Sequence, residues 1–274
     1  MKQIINTVAL MLLCGAAYTQ ELYVYTEPAS NMPAKSISVK WNIQLLNSLH
    51  HDRVEQRHTP EIMLGLNKNW MVHVAGTFSD MYTTRLRWES VRLYAKYRFL
   101  SLDDVHQHFR MAAFAEVAHS VNSAFYEEVS LNGDHSGVLA GIVATQLWQK
   151  LAVSSSVSVA QVTTAKPKFI PEAYPWQALN YSLSAGYLVL PREYTSYRQI
   201  NLNVYMELLG QQTLDRKQHY VDLAPALQLI FNSNAKVNLG YRFQLNSDMH
   251  RMADRSWQLS FEYVFLNALR KKKA

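Results

Sequence analysis

The chain of 274 residues has one cysteine and nine glycines, and beyond residue 19 it lacks a long apolar run. One cysteine excludes a disulfide framework and any zinc or iron–sulfur site built from cysteines. A spanning helix needs about 20 apolar residues, so a helical membrane protein is excluded. The glycines form no phosphate-binding fingerprint. Because 49% of the residues are hydrophobic and 12% aromatic, the chain is expected to fold rather than remain disordered.

The basic character of the chain comes from its ends. The formal net charge is +6, and it falls to +1 when Lys2 and the C-terminal run 270–273 are set aside. Nucleic-acid binding needs lysines and arginines gathered on one face. The remainder of the chain offers no such excess, so we expect no nucleic-acid partner.

The first nineteen residues have the pattern of a secretory signal peptide. Lys2 precedes the apolar stretch 4–15, and small residues lead to a cleavage point after Thr19. Cys14 raises the alternative of a lipoprotein, but two leucines occupy the positions before it where small residues are needed. Cleavage after Thr19 would remove Cys14 and leave an exported chain without cysteine.

From Ile37 onward, apolar and polar residues alternate in twelve segments, which predicts β-strands. The links between segments are alternately long and short, with long polar links such as 47–58 and 121–135. We therefore predict an all-β fold, a 12-stranded up-and-down antiparallel transmembrane β-barrel over residues 36–267, with both termini in the periplasm of the bacterial outer membrane. Residues 20–35 would form a periplasmic N-terminal arm, and 268–274 a basic C-terminal tail.

A secreted β-sandwich or lipocalin-like barrel is the alternative, because soluble sheets alternate too. Strands of about ten residues match a tilted bilayer crossing better than the five or six usual in soluble proteins. Aromatic residues also gather at the strand ends, as in interfacial girdles. The periplasmic girdle is predicted from Tyr97, Phe99, Trp148, Tyr194, Tyr197, Tyr263 and Phe265, and the outer girdle from Tyr82, Trp88, Phe125, Tyr126, Tyr174, Trp176, Tyr220 and Trp257.

Three segments carry a family resemblance: 22–34 (LYVYTEPASNMPA), 93–99 (LYAKYRF) and 144–148 (ATQLW). They resemble a family of uncharacterised outer-membrane β-barrel proteins of Bacteroidota-type bacteria. The resemblance extends over most of the chain after the leader and implies an outer-membrane location. It brings no activity with it, and a link to copper-handling systems is a weak implication of it.

The polar positions of each strand are expected to face the lumen. The predicted lumen-lining residues are Lys40, Arg92, Lys96, Arg98, Arg110, Glu116, Glu207, Asp222, Arg242 and Glu262. Such a wall either lines a narrow path or pairs off into internal salt bridges. On the first reading the protein is a channel or transporter for small solutes, and Arg92, Lys96 and Arg98 form a basic ladder that favours anions. On the second it is a non-conducting structural or ligand-binding barrel.

An outer-membrane lipid hydrolase is a weaker hypothesis. Barrel phospholipases use a Ser–His–Asn arrangement on the lipid-facing wall, and the nearest match is His119 next to Ser120. Adjacent residues of a strand point to opposite faces, so this pair fails the geometry. The sequence therefore predicts no enzyme and no catalytic residue.

Metal binding is a further hypothesis. His50, His51 and His58 follow the first strand, and Met249, His250 and Met252 precede the last one. In a closed barrel these two loops are neighbours, and imidazole with thioether would suit copper. No ligand spacing is diagnostic, so solvated loop residues are the simpler reading, and otherwise no cofactor is expected.

The expected partners are outer-membrane lipid and a small solute. The N-terminal arm, with Pro28 and Pro33, is extended and would plug the barrel, contact a periplasmic partner or move freely. The basic tail is a second candidate for a periplasmic contact.

Overall fold

The computed structural model describes residues 23–48, 53–105, 107–123, 125–163, 175–193, 199–215 and 217–270. In these residues the chain forms one closed antiparallel barrel in which each strand pairs with its neighbours in sequence. The predicted fold class is confirmed. The strands are β1 (Ser36–Asn47), β2 (Val54–Gly65), β3 (Trp70–Ser79), β4 (Arg87–Asp103), β5 (Gln107–Ser120), β6 (Gly137–Trp148), β7 (Leu151–Val162), β8 (Gln177–Leu190), β9 (Asn201–Thr213), β10 (His219–Phe231), β11 (Ala235–Ser247) and β12 (Arg255–Phe265).

The barrel closes where the first strand meets the last. β1 pairs with β12 from Ile37 opposite Phe265 to Leu46 opposite Ser256. Closure leaves no strand edge with unpaired backbone groups, which a bilayer could not solvate. Among the described residues there is no helix long and apolar enough to cross a membrane. The proposed leader, 1–19, lies outside the described residues.

The period-two pattern separates an apolar outside from a polar inside. In β1, Ser36 and Ser38 are buried in the lumen, whereas Val39 and Trp41 are exposed on the outer surface. The same alternation runs around the barrel, so its exterior is an apolar belt. Exposed apolar side chains over a whole barrel surface are stable only against lipid tails.

The link predicted over residues 47–58 is shorter in the structure, because β2 begins at Val54. Residues 54–58 belong to β2, because Val54 pairs with Asn47 and His58 pairs with Ile43. Both faces of this end are polar: Glu55 and Arg57 point inward, and Gln56 and His58 lie on the other face. A strand end without an apolar face resembles a loop in sequence.

The aromatic girdles are confirmed in part. Residues that are exposed near the ends of their strands include Tyr97, Phe99, Trp148, Tyr263 and Phe265 on one side and Trp88 and Trp257 on the other. Tyr126 and Tyr220 are buried instead, because they pack against charged and imidazole groups inside the outer mouth. Tyr82 also turns inward and donates a hydrogen bond to Asp134 at 2.9 Å. Tyr174, Tyr194 and Tyr197 lie outside the described residues.

The lipid-facing belt predicts a depth-dependent cost for charge. Leu93 lies on the outer face of β4 between Trp88 and Tyr97 and is 48% exposed. Leu93→Arg should lower the free energy of unfolding by roughly 2–4 kcal/mol, as for Arg at the bilayer midplane. Urea unfolding in lipid vesicles measures this change. Val105→Arg, in a turn where Val105 is 81% exposed, is the control and should cost below about 1 kcal/mol. Equal costs at the two positions would contradict the assigned bilayer level.

Candidate functional site

The N-terminal arm lies inside the barrel. Its described part, 23–35, precedes β1 and buries Val24, Ala29 and Met32 among lumen side chains. The approach to the wall is close at Gly65, where an added Cβ would lie 2.3 Å from the carbonyl oxygen of Pro33. Any side chain at position 65 would therefore push the arm away from β2.

One wall carboxylate anchors the arm. The consecutive backbone N–H groups of Val24, Tyr25 and Thr26 donate to the carboxylate of Glu207 at 2.8, 3.0 and 2.9 Å. The Thr26 hydroxyl donates to the same carboxylate at 2.7 Å. Successive N–H groups that converge on an anion form a concave binding site for it, and hydrogen bonds to a charged acceptor are stronger than neutral ones.

Further contacts carry the arm across the lumen. Lys96 of β4 donates to the Glu27 carboxylate and to the Pro28 carbonyl, both at 2.8 Å. The Ala29 N–H donates to the Thr145 hydroxyl of β6 at 2.8 Å. Other polar contacts are Arg110 to Ser30, Gln258 to the Val24 carbonyl, and Asn31 to the carbonyls of Lys68 and Asn69. The arm thus lies as a floor across the barrel.

The opposite end is covered by the loop after β5, described at 121–123 and 125–136 and here called the mouth loop. Arg57 of β2 holds Asp134 of this loop with two hydrogen bonds, at 3.1 and 2.5 Å. Across the barrel, Gln211 of β9 exchanges hydrogen bonds with the N–H and the carbonyl of Val129, both at 2.8 Å. The loop is therefore tied to opposite walls of the barrel.

Two arginines and two carboxylates fasten the mouth loop to the last loop, 248–254. Glu128 accepts hydrogen bonds from Arg251 at 2.8 Å and Arg242 at 3.2 Å. Asp222 accepts from the same two arginines at 2.6–2.8 Å, and the Arg251 guanidinium lies 4.0 Å from the ring centre of Tyr220. We call this cluster the latch. Burial by itself would raise the pKa of the Glu128 carboxyl, but Arg251 and Arg242 lower it to about 2.

Between the arm and the mouth loop lies a cavity of about 400 Å³, the chamber. Its lining includes Lys40, Glu61, His73, Arg92 and Glu116 of β1–β5. His73 Nδ1 lies 2.7 Å from the Glu61 carboxylate, and Arg92 lies 3.3 Å from Glu116. Strands β6, β7 and β8 carry no charged residue and contribute none of the lining. The charged lining of the chamber therefore comes from β1–β5 and β10–β12, together with the arm and the two loops at the mouth.

The ten predicted lumen residues fall into four groups. Lys40, Arg92, Glu116, Asp222 and Arg242 line the chamber; Lys96, Arg110 and Glu207 hold the arm; Glu262 pairs with Lys236 and Ser38; and Arg98 has Arg110 and Asp103 as charged neighbours.

The proposed basic ladder is largely neutralised. Arg92 pairs with Glu116, and Lys96 pairs with Glu27 of the arm. Strand parity indicated that these side chains point inward, but it cannot indicate their partners.

Sequence reasoning missed several chamber residues, namely Arg57, Glu61, His73, Glu128, Asp134 and Arg251. The sequence predicts a loop at Arg57. Glu61 and His73 stand at polar positions of weakly alternating segments, and that parity was the available signal. The other three lie in loops, where sequence offers no periodicity to follow.

The structure separates His58 from the other proposed metal ligands that it describes. His58 lies on the outer face of β2, where the Trp41 indole donates to its Nδ1 at 3.3 Å. Met252 is buried inside with Leu46, Met81 and Tyr126, and the His250 ring stacks on Tyr126. Met249 is likewise buried. His50 and His51 lie outside the described residues, and copper binding stays a prediction. Across the described chain, no group of three or more histidine and acidic side chains is placed to hold a metal ion.

As expected, His119 and Ser120 of the hydrolase hypothesis do not share a face of β5. His119 is exposed on the outer face of β5, and Ser120 is buried on the inner face. The Ser120 hydroxyl donates to the Gly133 carbonyl at 2.6 Å. The two side chains therefore lie on opposite sides of the wall.

The latch predicts acid-dependent loosening of the mouth loop. The folded pKa of Glu128 is lowered from 4.5 to about 2, so its stabilisation is complete above pH 4.5 and is lost as the pH falls towards 2. A nitroxide at the exposed position Phe125→Cys should stay immobile from pH 7 to 4.5 and become mobile by pH 2. With Glu128→Gln the label should be mobile throughout. An unchanged transition in Glu128→Gln would contradict the assignment to Glu128.

The anchor predicts fast exchange of the arm amides when the carboxylate is removed. In Glu207→Ala, the N–H groups of Val24, Tyr25 and Thr26 lose their acceptor, and their hydrogen–deuterium exchange should accelerate at least about tenfold. Mass spectrometry of the N-terminal peptide measures this exchange. Glu262→Ala removes another buried wall carboxylate, which pairs with Lys236, and should leave the three amides protected. Protection retained in Glu207→Ala would rule out the anchor.

No protein-family model and no curated protein matches the chain. Solved structures do. An outer membrane channel from Pseudomonas putida F1 is 12% identical, with 89% of this chain and 100% of that chain covered and a TM-score of 0.57. The KdgM porin is 7% identical (83% and 99% covered, TM-score 0.52), and the NanC porin is 11% identical (83% and 98% covered, TM-score 0.50). This chain has the fold of outer-membrane porins, and with its apolar belt it is a β-barrel of the bacterial outer membrane.

Proposed function

We propose that this protein is an outer-membrane channel for small polar solutes that is closed at rest, with the N-terminal arm as the inner closure and the mouth loop as the outer one. The observation that carries the proposal is the chamber of about 400 Å³ that lies between them. This volume falls in the range of small-molecule sites. An interior built for stability alone would fill it with side chains, as eight-stranded barrels do.

The solute is defined here by size and polarity rather than by negative charge. An anion preference rested on Arg92, Lys96 and Arg98, and two of these cations are paired with carboxylates. The chamber presents positive and negative groups side by side. A neutral polar or zwitterionic solute is therefore matched as well as an anion. Paired charges also serve as struts, and a non-conducting barrel is the alternative that the experiment below distinguishes.

Passage requires the arm to leave the lumen. Its described contacts to the wall are non-covalent, and they include the hydroxyl groups of Thr26 and Ser184 at 2.9 Å. Residue 26 lies next to the Glu207 anchor, so fixing it to β8 fixes the floor of the chamber. Because Cys14 is the chain's sole cysteine, a new cysteine pair can be oxidised without competing partners once Cys14 is replaced or removed.

A reversible disulfide tests the closure. In planar bilayers, Glu207→Ala should raise the open probability at least about tenfold over the unchanged protein, since the anchor holds the arm by several charge-assisted bonds. Adding Thr26→Cys and Ser184→Cys to that variant should abolish the current when oxidised and restore it when reduced. Glu262→Ala is the control and should behave like the unchanged protein. If Glu207→Ala shows no current, and the cysteine variant shows none when reduced, the barrel is a structural or binding protein instead.

A further inference from the structure

We infer that the part of the lumen filled by the arm is a binding site for peptides, with the arm as its built-in occupant. This inference rests on the proposed function, because it names peptides as the class of solute. It comes from the way in which the wall recognises the arm.

The wall accepts hydrogen bonds from backbone N–H groups of the arm. Glu207 takes three in succession, and Thr145 takes that of Ala29. The N–H of Met32 points to the sulfur of Met71 at 3.5 Å. These acceptors come from β9, β6 and β3, so they follow the arm along its length. None of these bonds depends on which side chain the arm carries.

The wall also donates to backbone carbonyls. Lys96 donates to the Pro28 carbonyl at 2.8 Å, and Gln258 donates to the Val24 carbonyl at 3.1 Å. In a closed barrel the strands pair with one another, so no strand edge remains to bind a peptide by sheet extension. Side chains must then supply the donors and acceptors, and here they follow the arm, which bends at residues 24–26.

The space around the arm varies along its length, since Tyr23 packs edge-on against Tyr205 and Tyr25 lies close over Gly240. Ala29 packs against Ala112 and Val143, and Thr26 lies between Ser184 and Glu207. Met32 packs in an apolar cluster with Met63 and Met71. Methionine side chains adapt to different partners, so this end tolerates varied residues.

The chamber next to this site also suits a peptide. A short peptide carries an ammonium group at one end and a carboxylate at the other. The chamber wall presents Glu61 and Glu116 for the first and Lys40 and Arg92 for the second. A solute of single sign would meet repelling groups as well as attracting ones on this wall.

The test uses the full-length chain with a weakened arm and an unchanged wall. Thr26→Val and Glu27→Gln together remove the hydroxyl bond to Glu207 and the ion pair with Lys96. This weakening is needed because a tethered arm competes at an effective concentration of about millimolar. The probe is the peptide Ala-Ser-Ala-Ser-Ala, and the matched control is the same peptide with N-methylated backbone amides.

Single-channel current in planar bilayers is the first readout. The unmodified peptide should interrupt the current at least about tenfold more often than the N-methylated one, because the latter cannot donate to Glu207 or Thr145. Adding Glu207→Gln to the weakened variant should remove most of this preference. Equal interruption by the two peptides would overturn the inference. The inference would also be overturned if a peptide with the arm's own sequence 23–34 interrupts the current and no other peptide does. The site would then recognise only the arm.

A second readout does not depend on conduction. A nitroxide on Thr26→Cys, combined with Glu27→Gln, should become mobile as the unmodified peptide displaces the arm, and should stay immobile with the N-methylated peptide. Absence of current with peptide-dependent release would defeat the channel but support the peptide site. Current without any peptide-dependent release or interruption would support the channel and defeat the peptide site.

Discussion

The hydrogen bonds between the arm and the carboxylate of Glu207 are the interaction on which the inner half of this barrel depends. This carboxylate is buried in the middle of β9, opposite Ser184 on β8 and Ala224 on β10, so its neighbours across the sheet are neutral. A buried carboxylate without partners is costly. The arm supplies them as N–H groups that would otherwise be unsatisfied themselves. Barrel and arm therefore complete each other, and the floor of the chamber is a consequence of that mutual need.

The two closures are built from different chemistry. The floor joins backbone groups to a carboxylate, with the ion pair of Lys96 and Glu27 beside it. The roof is fixed by guanidinium groups on carboxylates, with Tyr220 packed against Arg251. Bidentate arginine pairs are geometrically demanding and remain charged at any physiological pH. On the proposed function, the mouth loop would stay in place while the arm leaves the lumen.

The sequence was sufficient for the strands and their inward faces, because a period of two follows directly from the geometry of a sheet. It failed where an element had no apolar face to repeat, as at residues 54–58 of β2. It also gave no information on partners: the ion pairs of Arg92 and Lys96 join residues 24 and 69 positions apart. Tyr126 and Tyr220 looked like interfacial aromatics, and only the folded loops turn them into a lining of the mouth.

The absence of charge from β6, β7 and β8 has a consequence for anything that enters the chamber. The charged lining residues of the wall lie on β1–β5 and β10–β12, so the potential varies across the width of the lumen as well as along its axis. Water and dipolar molecules inside would be aligned crosswise by this transverse field before they touch any side chain.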